Sequence, residues 1–149
     1  MSLVQRTNAQ NWVPVFARVA IFLAIFPHGA QKLLGWFGGP GYSGAMGSLT
    51  SGAGLPAIIA FLVIIFEFFG PLFLLLGLFT RIAAAAVIVN FLGVVLTVII
   101  HNGYFMNWSS QAGKGEGLEY FILLFALLII LCITGGGKAS IDAALGRKK

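Results

Sequence analysis

The chain has 149 residues, of which 59% are hydrophobic and only 9% charged, with a net charge of +5 and a mean hydropathy of +0.99. A water-facing domain carries about 25% charged residues, so this composition excludes one. The basic residues form no cluster interleaved with aromatics, which excludes a nucleic-acid surface, and the length allows one compact membrane domain.

Residues 1–11 are polar and read as a short cytoplasmic tail without the order of a signal peptide, so the first span is expected to be retained. Asn11 suits an N-cap and Pro14 the first helical turn. The first span is then predicted over residues 13–34. It carries Arg18, His28 and Lys32, which at about 100° per residue share an arc of roughly 80°. Each ionisable group costs about 2.5–3.5 kcal/mol at a helix centre, so these three are expected to face an interior or a wet cavity. Pro27 removes a backbone donor and predicts a bend where the polar stripe begins. The following stretch, 35–54, is rich in Gly and Ser and places Trp36, Phe37 and Tyr42 at interfacial depth.

A second span is predicted over residues 55–79, apolar except for Glu67. Glu67 lies roughly 12 residues, or about 18 Å at the helical rise, below the outer end of that span. Pro71 should break the ladder bond to the carbonyl of residue 67 itself, an interruption of the sort transporter helices use. Thr80 and Arg81 make a turn, with Thr80 a cap for the next helix. The third span, 82–101, opens on Ala83–Ala86, small residues that permit close approach of helices. Helical spacing brings its Thr97 and His101 within about 20° of Asn90, a second polar stripe. A loop, 102–117, holds Trp108, Lys114 and Glu116. The fourth span, 118–134, opens with Glu119 and Tyr120 and ends at Gly135-Gly136-Gly137. Ser140-Ile141-Asp142 is expected to start a short surface helix before the basic tail.

The expected fold is therefore all-α, a four-helix integral membrane bundle forming one domain. With both termini inside, the cytoplasmic side holds seven basic residues (Arg6, Arg18, Arg81, Lys138, Arg147, Lys148, Lys149) against two, Lys32 and Lys114, outside. This distribution favours cytoplasmic termini.

Arg18, the motif HGAQKLLGWFGGPG at 28–41, Glu67 within FEFFGPLFLLLGLFTR, His101, the Glu119-Tyr120 pair and GGGKASID at 135–142 resemble the DoxX family of small four-helix membrane proteins. The resemblance covers most of residues 13–145. It implies a bundle in the bacterial or archaeal cytoplasmic membrane. It also implies a link to quinones, since the related DoxD subunit belongs to thiosulfate:quinone oxidoreductase.

A quinone head group needs donors to its carbonyl oxygens, and His28, Lys32 and His101 are suitable types at a suitable depth. With Glu119 they form the expected ligand-binding set, and Glu116 falls near the same outer leaflet. Glu67 and Arg18 are the expected proton or charge partners, as a relay or as a stabilising pair. The structural alternative is that His28 and Lys32 only tie the Gly-rich loop to carbonyls or to Glu119. Arg81 and Asp142 are expected to form an ion pair anchoring the tail.

Quinone is the one cofactor expected; no haem, flavin or metal is, since the chain has no propionate partners, nucleotide fingerprint or ligand spacing. Cys132 reads as a small core residue. The expected function is a membrane protein of quinone-linked redox metabolism, a subunit or accessory of an oxidoreductase system. Its redox centre would come from a soluble oxidoreductase subunit or from the bound quinone. Two alternatives stay open: a small-molecule transporter, which at this size would need a homo-oligomer, and a scaffold that recruits soluble enzymes. In every case the lipid bilayer is a partner.

Overall fold

The computed structural model describes residues 7–146; Arg6, Arg147, Lys148 and Lys149, counted in the orientation tally, lie outside the described residues. Among the described residues six α-helices come in order: α1 (Val13–Leu34), α2 (Gly41–Gly47), α3 (Ala57–Leu76), α4 (Thr80–Thr97), α5 (Glu119–Thr134) and α6 (Ile141–Gly146). Three of them, α1, α3 and α4, are long and apolar enough to cross a membrane, and α5 is a shorter apolar helix. Around the bundle the order is α1, α3, α4, α5, with α5 closing back on α1.

The core forms where apolar residues recur at helical spacing on facing stripes. Ala17, Ile21 and Ile25 of α1 meet Ala84, Val87, Phe91 and Val95 of α4 and Leu124, Leu128 and Leu131 of α5 in one cluster. The outer surface is also apolar: Phe16, Leu23, Ile58, Val89, Leu96 and Ile133 are exposed. A bundle in lipid has no need of a polar exterior, so these residues face the solvent they match. Trp36, Phe37 and Tyr42 are exposed beyond the end of α1, in keeping with interfacial placement.

Small residues set the closest approaches. A Cβ at Gly29 of α1 would overlap the backbone carbonyl of Glu67 in α3, and one at Gly70 of α3 would meet Val87 of α4 at 2.6 Å. Glycine at both positions lets neighbouring helices touch backbone to side chain or closer.

Several local expectations need correction. Both prolines lie within continuous helices, so the ladder bond lost at Pro71 leaves α3 unbroken. The Glu67 carbonyl that Pro71 leaves without a helical donor lies against Gly29, where Cα hydrogens can approach it. The third helix starts at Thr80 and ends at Thr97, because Val98 leaves helical geometry (φ −122°, ψ −56°); His101 sits beyond it on the short turn Ile99–Asn102. The polar stripe predicted through Asn90, Thr97 and His101 is broken there. The Gly/Ser-rich stretch is mostly helical, with α2 continuing into a wider turn over Ser48–Gly52 that leans on α3. Trp12, not Asn11, holds the N-cap position of α1; Asn11 stands one residue before it, its side chain accepting the Val13 N–H at 2.9 Å.

Candidate functional site

The two ends of the bundle are built differently. At the end holding the N-terminus of α1, the chain spends its polar groups on closing the fold. Arg18 is 3% exposed, and its five N–H donors all go to backbone carbonyls. Nε donates to Leu74 O (2.6 Å), Nη1 to Gly136 O (2.8 Å) and Lys138 O (3.3 Å), and Nη2 to Ala139 O (3.2 Å) and to Leu75 O. Leu74 and Leu75 lie in the last turn of α3, at the negative end of the helix dipole; Leu74 O also accepts the Gly77 N–H at 3.0 Å, so Arg18 adds a second donor there. Arg18 is therefore a structural clamp, and its expected pairing with Glu67 is corrected.

Asp142 does the complementary work on α4. Its carboxylate accepts the N–H groups of Phe79 and Thr80, both at 2.9 Å, and the Thr80 hydroxyl at 2.8 Å. A carboxylate on the first N–H groups of a helix caps it and matches the dipole. Thr80 is thus capped and is not the cap. Arg81 reaches in another direction, Nη2 donating to Ile133 O at 2.8 Å, so the anchoring pair expected of Arg81 and Asp142 gives way to two separate anchors. Asp142 is buried, so α6 is docked through this residue and does not simply lie on the surface. Gly77 adopts φ +64°, and the space its side chain would take is filled by Ser140 and the Arg18 guanidinium.

At the other end a cavity of about 610 Å³ opens between α3 and α4. Its walls repeat at helical spacing: Ile59, Leu62, Val63 and Phe66 from α3, and Asn90, Gly93, Val94 and Thr97 from α4, with Val98 just past the end of that helix. Leu49, Ala53 and Leu55 cover it from the α2 side. The Gly70–Val87 contact lies one turn beyond Glu67 and Asn90, so the helices are shut against each other just past these two residues. Polar groups gather at that deep end: His28 and Lys32 of α1, Glu67 of α3, Asn90 of α4 and Tyr120 of α5 all line the cavity.

Lys32 Nζ and the Glu67 carboxylate are directly ion-paired and hydrogen-bonded. Side chains on a helix lean toward its N-terminus, which brings Lys32 down onto Glu67 from the turn beyond Gly29. Glu67 is 3% exposed and Lys32 30%, so the carboxylate is enclosed while the ammonium stem stays open to the cavity. Tyr120 lies within electrostatic reach of Glu67. His28 is exposed on the cavity wall.

Two of the expected ligand-binding residues, His28 and Lys32, thus share a cavity with Glu67. The other two do not join them, which corrects their expected convergence. His101 is exposed on the turn after α4 and is not part of the lining. Glu119, the first residue of α5, accepts the Trp108 indole N–H at 2.8 Å from the preceding loop, and Glu116 accepts the Asn107 N–H at 2.9 Å within that loop. Asn90 and Tyr120 were not among the expected site residues. The signal for Asn90 was a carboxamide in the middle of an apolar span. For Tyr120 it was the residue beside Glu119, since neighbours on a helix stand about 100° apart and only one can face inward.

A ring of helices with membrane-crossing length, an apolar exterior and a polar-ended internal cavity defines a small multi-pass helical membrane protein. The sequence matches the DoxX family model over residues 13–102, and the chain belongs to the DoxX family. That span holds α1–α4 and every lining residue of the cavity except Tyr120 and Phe121. The inner membrane protein YphA of Escherichia coli (strain K12) is 27% identical over 128 residues, covering 86% of each chain. No solved structure matches significantly.

Proposed function

We propose that the protein holds a quinone or a similar lipophilic carrier in the α3–α4 cavity, as a membrane subunit or accessory of an oxidoreductase system. One observation carries this reading: the cavity is apolar along most of its length and its polar side chains gather at the deep end, apart from Thr97, whose hydroxyl donates to Gly93 O. A carrier with a small oxygen-bearing ring and an apolar chain divides its surface in the same way. The volume of about 610 Å³ suits such a ring with part of its chain.

Charge supports an uncharged head group. Lys32 and Glu67 neutralise each other, and a second ion brought between them would have to be desolvated without a partner. Lys32, His28 and the Tyr120 hydroxyl would hold the ring oxygens, and a bound quinone would supply the electron-accepting chemistry that such systems need. Ile59, Val89 and Val98 line the cavity and are exposed on the helix exterior, which offers a route from the lipid.

The membrane is assigned as the cytoplasmic (inner) one, as the name of the Escherichia coli relative states for that protein. Arg18, Arg81 and Lys138 gather at the Asp142 end, with Lys32 and Lys114 toward the cavity end, which supports cytoplasmic termini. The test is extraction. Protein purified in mild detergent should carry lipid-soluble quinone, and Lys32→Ala or His28→Ala should lower its occupancy. Extracts without quinone, together with a melting temperature that added quinone leaves unmoved, would overturn the reading.

A further inference from the structure

Six polar or charged side chains are buried among the described residues: Arg18, Glu67, Thr80, Asn90, Ser140 and Asp142. Five are matched. Arg18 holds backbone carbonyls, Glu67 holds Lys32, Thr80 and Asp142 hold each other, and Ser140 donates to Gly137 O and accepts from Ala143 N–H. Asn90 is the exception. It is 8% exposed, and its Nδ2 has no hydrogen-bond partner among the described residues.

The exception has a consistent address. Asn90 lines the same cavity as Glu67 and lies one helical turn from Val87, whose contact with Gly70 shuts its deep end. Thr97 and Thr134, also on membrane helices, resolve the same difficulty by donating to the carbonyl four residues back, at 2.8 Å and 2.7 Å. Asn90 makes no such bond. A buried amide donor left unmet in an apolar helix is a standing cost to the protein, and such groups are rare where nothing uses them. The two charges that line the same cavity, Lys32 and Glu67, are already paired with each other, so a neutral acceptor is the group that would meet the amide.

We infer that Asn90 is the specificity-determining contact of the cavity it lines: its unpartnered Nδ2 is covered in the ligand-free protein, and a turn of the carboxamide about χ2 brings it round to donate to a ring oxygen of an uncharged amphiphile whose chain lies along the apolar walls. This rests on the lipophilic-carrier reading and deepens it: His28 and Lys32 border the site, while Asn90 distinguishes an oxygen-bearing ring from a bare hydrocarbon one.

The test uses purified full-length protein and two probes, a benzoquinone with one short prenyl chain and the matching prenylated arene without ring oxygens. Binding is followed by intrinsic fluorescence quenching and stability by thermal melting, for the wild type, Asn90→Leu and Lys32→Ala. Leu is close to Asn in shape and removes the unmet donor. Ligand-free Asn90→Leu should therefore melt higher than the wild type, while binding the prenylquinone about three- to tenfold more weakly. Arene binding should not change, so selectivity for the quinone falls. Asn90→Ala, which tolerates a different packing, should lose the same selectivity if the Leu variant does not fold. Wild-type quinone binding by Asn90→Leu would overturn the inference. So would a lower melting point with both probes unaffected, the signature of an amide satisfied by a structural water. If Lys32→Ala loses quinone while Asn90→Leu keeps it, the Asn90 assignment falls alone; if the wild type binds no prenylquinone, the carrier reading falls with it.

Discussion

Gly29 and Glu67 meet through their backbones: the Glu67 carbonyl occupies the space where a side chain at position 29 would begin. Neither backbone can move without disturbing the Lys32–Glu67 pair one turn away. Gly29→Ala should destabilise the protein by about 1–3 kcal/mol, the usual cost of overpacking, and Gly29→Val by more. Thermal melting in detergent reads the loss. Quinone occupancy should fall with it, because pushing α1 off α3 displaces Lys32 from the cavity floor.

The ion pair itself should show strong coupling. Lys32→Met strands the Glu67 carboxylate, which is 3% exposed. The cost should lie somewhat below the ~3–5 kcal/mol of a fully enclosed pair, because Lys32 keeps 30% of its side-chain surface. Combining Lys32→Met with Glu67→Leu should recover most of the lost stability, since a well-packed apolar pair replaces two charges. A double-mutant cycle measures this; simple additivity of the two single losses would contradict it.

At the opposite end, Arg18→Lys is not conservative. Lysine offers three donors from a single point where Arg18 spreads five over carbonyls of α3 and of the segment after α5. Each buried carbonyl left bare costs about 1–3 kcal/mol, with incomplete additivity. Arg18→Lys should therefore lower the melting temperature strongly without changing quinone affinity in whatever fraction folds. A selective loss of affinity at unchanged stability would show that Arg18 serves the cavity after all.

Asp142 acts through one helix start. Asp142→Asn keeps one acceptor oxygen for three donors, the Phe79 and Thr80 N–H groups and the Thr80 hydroxyl, and removes the charge that favours the N-terminus of α4. The expected loss is about 0.5–2 kcal/mol, the range for helix caps. Hydrogen exchange should localise it to the first turn of α4. An unchanged exchange rate at Thr80 would contradict the assignment.

Much of the architecture was legible in the sequence because lipid leaves few choices. The apolar runs marked α1 and α5 almost to the residue, and the Ala83–Ala86 stretch marked the close side of α4, where Ala83 and Ala84 are buried. Three residues of the cavity lining stood out in the sequence as well, since His28, Lys32 and Glu67 are costly in a membrane, and they line one cavity together. What could not be read was partnership. Arg18 and Glu67 are both ionisable and both buried, yet they serve opposite ends of the bundle, a fact set by the pairing of α1 with α3 and by the return of the 136–139 segment. Periodicity likewise could not foresee that Val98 ends α4 and carries His101 off the helix. Asn90 was visible as a polar member of a span, but its lack of a partner is a property of the packed molecule only.

The Arg18 clamp has a consequence for how the protein is made. The first helix enters the bilayer carrying a cation whose acceptors lie up to 121 positions later in the chain. Until Ala139 has left the ribosome, that guanidinium must stay at the water interface or borrow lipid phosphates. The closing stretch thus completes the assembly as a latch, and a nascent polypeptide halted before it would hold an unfinished bundle open to quality-control proteases.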